Sequence, residues 1–354
     1  MLTWPTRLHQ PTVRILVIGG SGFIGSPLLR ELRGSGHDIA VFHRSAAGSS
    51  SHLRQIQGDR NRLTERRDEI AQFAPEVVID LILSSGGQAR ELMHFLRGIV
   101  RRVVAISSMD VYRAWGVLHG VEHRPLEPLP ITEDSPLRTT RRLYSSETLK
   151  MMASIFSWLD GEYDKIAVEE AVMGDAELSG TVLRLPMVYG PGDPLHRFFP
   201  LLKRIADGRS FALLADDLAR WRGPRGYVEN VAHAIAIVAT SDRAAGRIYN
   251  ICEEPTLPEV EWQKQIASQM HWTGQFVVLP RAQVPKHLLQ PGNAAQHVVV
   301  SSERIRSELN YRELVEIREA IQRTIAWERQ NPPLTVNSEQ FDYPCEDAAL
   351  AKSA

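Results

Sequence analysis

Short apolar runs alternate along the first half of this chain with longer segments whose apolar positions recur every three or four residues. Val13–Ile18, Asp38–Phe42, Val77–Leu83, Val103–Ser107 and Thr181–Leu185 predict strands. Phe23–Arg33 and the stretch around Ala89–Leu96 predict helices. Pro27 sits near the start of the first, where backbone N–H groups lack intrahelical partners anyway, and Gly34-Ser35-Gly36 stops it. Strands that are apolar throughout and alternate with helices predict an α/β fold, a doubly wound parallel sheet covered on both faces. Apolar positions 151, 152, 155, 156 and 159 predict one more helix, buried against the sheet or at a dimer interface, or else a lid carrying Tyr144 or Glu147. Periodicity is lost from Asn331-Pro332-Pro333 onward, so 331–354 is expected to be a loose tail, and 1–12 an N-terminal extension.

The first strand runs into Gly19, Gly22 and Gly25, and a helix follows. That order suits a dinucleotide pyrophosphate. Gly19 makes the tight turn, Gly22 admits the phosphates to the backbone, and Gly25 lets helix and strand pack closely, so that the helix N-terminus meets the anion.

Composition narrows the class. The chain has 354 residues, 41 basic and 42 acidic, for a net charge of −1, which gives no footprint for nucleic acid. Two distant cysteines, Cys252 and Cys345, exclude a disulfide framework, and the histidines show no metal-ligand spacing, so no metal is expected. Met1–Pro11 has no signal-peptide pattern and no apolar run approaches ~20 residues, so a cytoplasmic location and no membrane partner are expected. The pairs Arg66-Arg67, Arg101-Arg102 and Arg141-Arg142 read as exposed faces.

Four motifs in order carry a resemblance: the glycine turn, Ser107-Ser108-Met109-Asp110-Val111-Tyr112, Arg184-Leu185-Pro186-Met187-Val188-Tyr189-Gly190-Pro191, and Arg225-Gly226-Tyr227-Val228-Glu229-Asn230-Val231-Ala232. Over roughly 13–328 the chain resembles the extended short-chain dehydrogenase/reductases, the NAD(P)-dependent epimerase/dehydratase group. The resemblance implies a Rossmann domain, mainly 13–186 with a helix inserted at 138–160. It also implies a smaller substrate lobe, mainly 187–330, with 226–251 returning to the first domain. It places Gly19, Ser21, Gly22, Phe23, Ile24, Gly25, Leu81, Ser107, Lys165, Pro186 and Val188 at the cofactor. Gly58-Asp59-Arg60 resembles the family element whose acid contacts the adenine, or is an ordinary turn.

The second strand ends in His43-Arg44-Ser45, without the acid that would bind an NAD ribose hydroxyl. A cation and a hydroxyl there favour NADP over NAD, with Arg44 suited to a 2′-phosphate; the competing reading is a solvated loop arginine.

The family uses a Tyr four residues before a Lys, with a Ser or Thr on the preceding strand. Ser108 matches the last and Lys165 the Lys, with Glu169 four residues on. Four residues before Lys165 stands Gly161. Tyr163 is only two positions away, about 200° round a helix, on a stripe with Ile166, Ala167 and Ala171 that points to a core role. Tyr163 serves as proton carrier if the helix starts there, with Asp160 as cap. The catalytic set expected is Ser108, Tyr163 and Lys165.

Ser108, Asp110, Tyr189, Arg222 and Arg225 are expected to touch the substrate. Arg225 stands where relatives place an arginine for a phosphate, and Asn230 replaces the usual Asp. The expected function is hydride transfer between nicotinamide and a carbinol carbon of a nucleotide sugar or similar polar metabolite. The alternative is a regulator, nucleotide-sensing or RNA-binding, that keeps the fold without the Tyr. The resemblance also implies a homodimer.

Overall fold

The structure, a computed structural model, describes residues 12–44 and 52–353. The first half builds β1 (Arg14–Ile18), α1 (Gly25–Gly34), β2 (Asp38–His43), β3 (Arg54–Gln57), α2 (Arg67–Phe73), β4 (Val77–Asp80) and α3 (Gly86–Leu96). Then come β5 (Arg102–Ser108), α4 (Arg113–Leu118), α5 (Ser146–Ile155), α6 (Lys165–Met173) and β6 (Ser179–Leu185). The predicted strands and the first two helices stand where their periodicity put them.

The second half adds β7 (Met187–Tyr189), α7 (Phe199–Ala206), β8 (Phe211–Ala215), α8 (Asp216–Arg220), β9 (Arg225–Tyr227) and α9 (Val228–Thr240). It ends with β10 (Ile248–Asn250), α10 (Glu259–Gln269), β11 (Gln275–Leu279), α11 (Glu303–Leu309), α12 (Ile317–Gln330) and α13 (Tyr343–Ser353). Seven strands pair in parallel in the order β10-β6-β5-β4-β1-β2-β3, so β10 returns to the edge of the first domain's sheet. Two-stranded pairs, β11 with β8 and β7 with β9, build the smaller lobe.

Successive residues of a strand face opposite sides of the sheet, and a strand apolar at every position therefore needs cover on both. In β1, Ile15 and Val17 pack with Leu28 and Leu32 of α1 and Ile235 of α9, whereas Leu16 and Ile18 pack with Ile70 of α2, Leu92 of α3 and Val168 of α6.

Three expectations are corrected here. No residue of α5 is buried, and Met151 is 59% exposed, so this helix does not lie against the sheet. The 331–354 segment is not loose. It forms α13, whose fully buried Glu346 pairs with Arg204 at 2.7 Å and with His287 at 3.0 Å. Arg102 is buried rather than on an exposed face: its guanidinium donates to Ala239 O at 2.7 Å and to Ser241 O, binding β5 to the end of α9. The N-terminal extension lies outside the described residues apart from Thr12. Among the described residues, no helix is long and apolar enough to cross a membrane.

Candidate active site

The glycine turn makes a close saddle of backbone between β1 and α1. Gly19 has φ +84°, a left-handed conformation, and a Cβ there would meet Ile82 Cγ2 at 2.7 Å. A Cβ on Gly25 would lie 2.4 Å from Gly20 O, so only glycine lets the helix start directly on the strand's backbone. Gly22 has open space above it, its nearest neighbour being Gly19 O at 3.5 Å. Ile24 gives α1 no side-chain cap, and no acid stands in the first turn. Ser21 is exposed and Phe23 and Ile24 are half-buried around that uncapped end. A helix end without its own cap, facing a space kept clear by glycine, is built for an anionic ligand.

Further along the same edge, His43 closes β2 with both ring nitrogens buried and without a partner among the described residues. Orphaned polar atoms of this kind fit a dinucleotide lying along the strand ends, because burial without a partner carries a cost that a ligand removes. Arg44 follows, exposed, with Nη2 donating to Ser157 Oγ at 2.7 Å. Ser45 lies outside the described residues. Asp59 is exposed and caps the next turn, its carboxylate accepting from Asn61 N at 2.9 Å. Leu81 is buried beyond β4, its N–H on Ile18 O at 3.1 Å.

The three expected catalytic residues meet in the structure, by a route the spacing argument did not foresee. The N-cap of α6 is Asp164, not Asp160: its carboxylate accepts from Ile166 N at 3.0 Å and Ala167 N at 3.2 Å. Tyr163 therefore precedes the helix, and the helical stripe that pointed to a core role does not apply to it. Its phenol donates to Asp110 Oδ2 at 2.7 Å and stands beside Ser108. Tyr144, just ahead of α5, donates to the same oxygen at 3.2 Å. The other oxygen, Oδ1, is buried without a partner among the described residues. Burial and the Asp110 carboxylate both push the two phenols well above the usual tyrosine range.

Lys165 opens α6 and is buried, with Nζ donating to Ile106 O at 3.0 Å and to Leu83 O. The ammonium lies 5.8 Å from the Tyr163 ring centre and 5.5 Å from that of Trp158. Burial pushes its pKa down to about 8, against the pull of Asp110, Asp80 and Glu169. Glu169 does not form a surface pair with Lys165. The β5–β6 register sets Ser107 beside Arg184, and both reach the buried Glu169, Ser107 Oγ at 2.6 Å and Arg184 Nη2 at 2.6 Å. Arg184 also donates to Tyr112 Oη at 2.9 Å, and Tyr112 to Asn250 Oδ1 at 2.6 Å, which ties the site floor to β10.

After β6, Met187 and Tyr189 line a cavity of about 540 Å³ in the smaller lobe, with Trp115, His119, Trp221 and Arg225 among others, whereas Pro186 and Val188, which alternate with them, are not among its lining residues. Arg225 lies 4.9 Å over the Trp262 ring and pairs with Glu259. Arg222 is exposed and not among the lining residues, and its backbone pairs with 297–298, so the expected pair of cations does not form. Asn230 is structural: its side-chain amide clasps Val315 N and O and Leu314 N, at 2.9, 2.8 and 3.0 Å. Asp110 was expected at the substrate, but its part as shared acceptor of the two phenols, Trp115 and His119 in the cavity wall, and Glu259 against Arg225 carried no sequence signal, because each depends on a partner far along the chain.

Residues 15–252 match the model of the NAD dependent epimerase/dehydratase family. The 2′-dehydrokanamycin reductase of Streptomyces kanamyceticus is 26% identical over 269 residues, 73% of this chain and 67% of its own. The dTDP-glucose 4,6-dehydratase of Streptomyces griseus is 25% identical over 349 residues, 89% of this chain and 94% of its own. Among solved structures, MoeE5 in complex with UDP-glucose and NAD is similar in fold, with a TM-score of 0.63 and 22% identity, over 90% of this chain and all of that one.

Proposed function

The chain belongs to the NAD dependent epimerase/dehydratase family, and on that premise we propose that it oxidises or reduces a carbinol carbon of a small molecule bound beside Ser108 and Tyr163. The observation that carries this is the contact of Tyr163 with Asp110, beside Ser108 and Lys165. It supplies a phenol where the usual spacing has none. It counts against the regulator reading, which rested on a missing Tyr.

The dinucleotide fits the glycine saddle, the uncapped α1 and the orphaned His43; when bound, its nicotinamide supplies the hydride donor or acceptor. We assign NADP as the preferred form, with Arg44 meeting the extra phosphate in place of the absent acid. Ser108 orients the substrate oxygen. Tyr163 takes or gives the proton at that oxygen, and Asp110 Oδ2 receives the phenol proton in the oxidising direction and returns it in the other. Lys165 holds positive charge beside this relay and binds the ribose. The nucleotide-sugar part of the expectation keeps the support of relatives such as the dTDP-glucose 4,6-dehydratase, although Arg225, its expected carrier, is paired with Glu259. The test is NADPH oxidation with a panel of carbonyl compounds, by wild type and by Y163F. Turnover that Y163F retains in full defeats the assignment.

A further inference from the structure

The segment between α5 and Tyr163 is not anchored by α5, which buries none of its residues. It is held instead along the edge of the sheet that carries the glycine saddle. At one end Arg44 Nη2, beyond β2, donates to Ser157 Oγ at 2.7 Å. In the middle the Trp158 ring centre lies 5.5 Å from Lys165 Nζ, and Leu159 is buried. At the other end Asp160 grips Ser84, beyond β4. Its N–H donates to Ser84 Oγ at 3.1 Å, and that hydroxyl donates to Asp160 Oδ1 at 3.1 Å. The sheet order places β1 between β4 and β2, all three parallel. A chain tied beyond β2 and beyond β4 therefore passes over the end of β1, where the saddle opens. Residues 157–160 form a strap across the place proposed for the dinucleotide.

The two ties differ in strength. Ser84 is fully buried and doubly bonded to Asp160. Arg44 and Ser157 are both exposed, and a single hydrogen bond in water gains little over the hydration it replaces. That weaker contact also leaves chemistry unused on both sides. Arg44 has no carboxylate partner among the described residues, so its charge is uncommitted. Ser157 Oγ accepts from Arg44, and its own O–H has no acceptor among the described residues. A guanidinium with spare donors beside a hydroxyl with a spare proton suits an anionic oxygen that takes a hydrogen bond from each.

We infer that Ser157 is, with Arg44, a ligand of the 2′-phosphate of NADP, and that this phosphate fastens the strap over the saddle. The inference rests on the reading of NADP as the preferred form. NAD leaves only the weak Arg44–Ser157 bond, so the strap closes firmly on one dinucleotide and not on the other.

The test is titration of NADPH and NADH, by their own fluorescence, on wild type, S157A, S157T and R44A. Hydrogen–deuterium exchange of the peptide over 156–160 is measured with each dinucleotide. S157A is expected to weaken NADPH binding ~10-fold and to leave NADH binding within about twofold. S157T keeps the hydroxyl and is expected to stay within about threefold of wild type for NADPH. In wild type NADPH should slow exchange over 156–160 more than NADH does, and S157A should lose that difference. Unchanged NADPH affinity in S157A, an equal loss for both dinucleotides, or equal slowing of exchange by both in wild type overturns the inference. A loss in S157T as large as in S157A overturns it too, since the hydroxyl would then not be the cause. R44A separates the two levels of the argument. Where R44A loses the preference for NADPH and S157A keeps it, NADP stands and the strap's part in binding it falls. Where wild type shows no preference for NADPH, the NADP reading fails and the inference with it.

Discussion

The Tyr163 hydroxyl lies 2.7 Å from Asp110 Oδ2, although Tyr163 is two residues ahead of Lys165 rather than four. The two side chains converge because Asp164 caps α6 and releases Tyr163 from the helix, where helical spacing would have turned it away. Y163F removes the proposed proton carrier and should lower turnover ~100-fold or more while leaving dinucleotide affinity within about twofold. Steady-state rates beside a binding titration check this. Y144F, which removes the longer of the two contacts to Asp110, should cost less, and the reverse order would exchange their roles.

Lys165 gives a pH dependence with a definite sign. Its folded pKa, about 8, lies below the ordinary 10.5, so the unfolded chain binds the extra proton between those values. Stability therefore carries the full cost of the buried charge below pH 8 and regains it as pH rises toward 10.5. K165M has no such group. The difference in urea midpoint between wild type and K165M should shift in favour of wild type across that window, and a flat difference would place the lysine in solvent.

The role proposed for Arg44 makes the two dinucleotides behave differently in a variant. R44A should weaken NADPH binding ~10-fold and leave NADH binding unchanged, because only the former loses a charge-assisted contact. Equal losses for both would return Arg44 to the role shown by its bond to Ser157, holding the segment after α5.

The docking of α13 rests on a buried charge pair. E346Q leaves the Arg204 guanidinium without its counter-charge and should destabilise the protein by about 3 kcal/mol, whereas the double variant R204M/E346L should recover most of that loss. Urea denaturation of the three proteins measures it. A double variant as unstable as E346Q would mean that packing, not charge, sets the cost.

Much of the first domain was legible because its signals are local. An apolar strand, a glycine at a turn and an amphipathic helix each follow from neighbours in sequence, so β1 through α1 and the parallel sheet could be read directly. The misreadings have a common origin. Arg102 looked exposed because a pair of arginines usually is, and only the arrival of α9 gives it the carbonyls of Ala239 and Ser241. The tail looked loose because its anchor, Glu346, finds Arg204 and His287 far back along the chain.

The sequence by itself determined the family, the parallel sheet and the glycine turn proposed to hold the dinucleotide, since all three depend on backbone geometry that short motifs encode. The tertiary structure decided which side chains meet. Which phenol meets Asp110, and whether Arg225 is free for an anion, depend on residues distant in sequence becoming neighbours. Charge and hydrogen bonding act over a few ångströms of space, whatever the number of residues between.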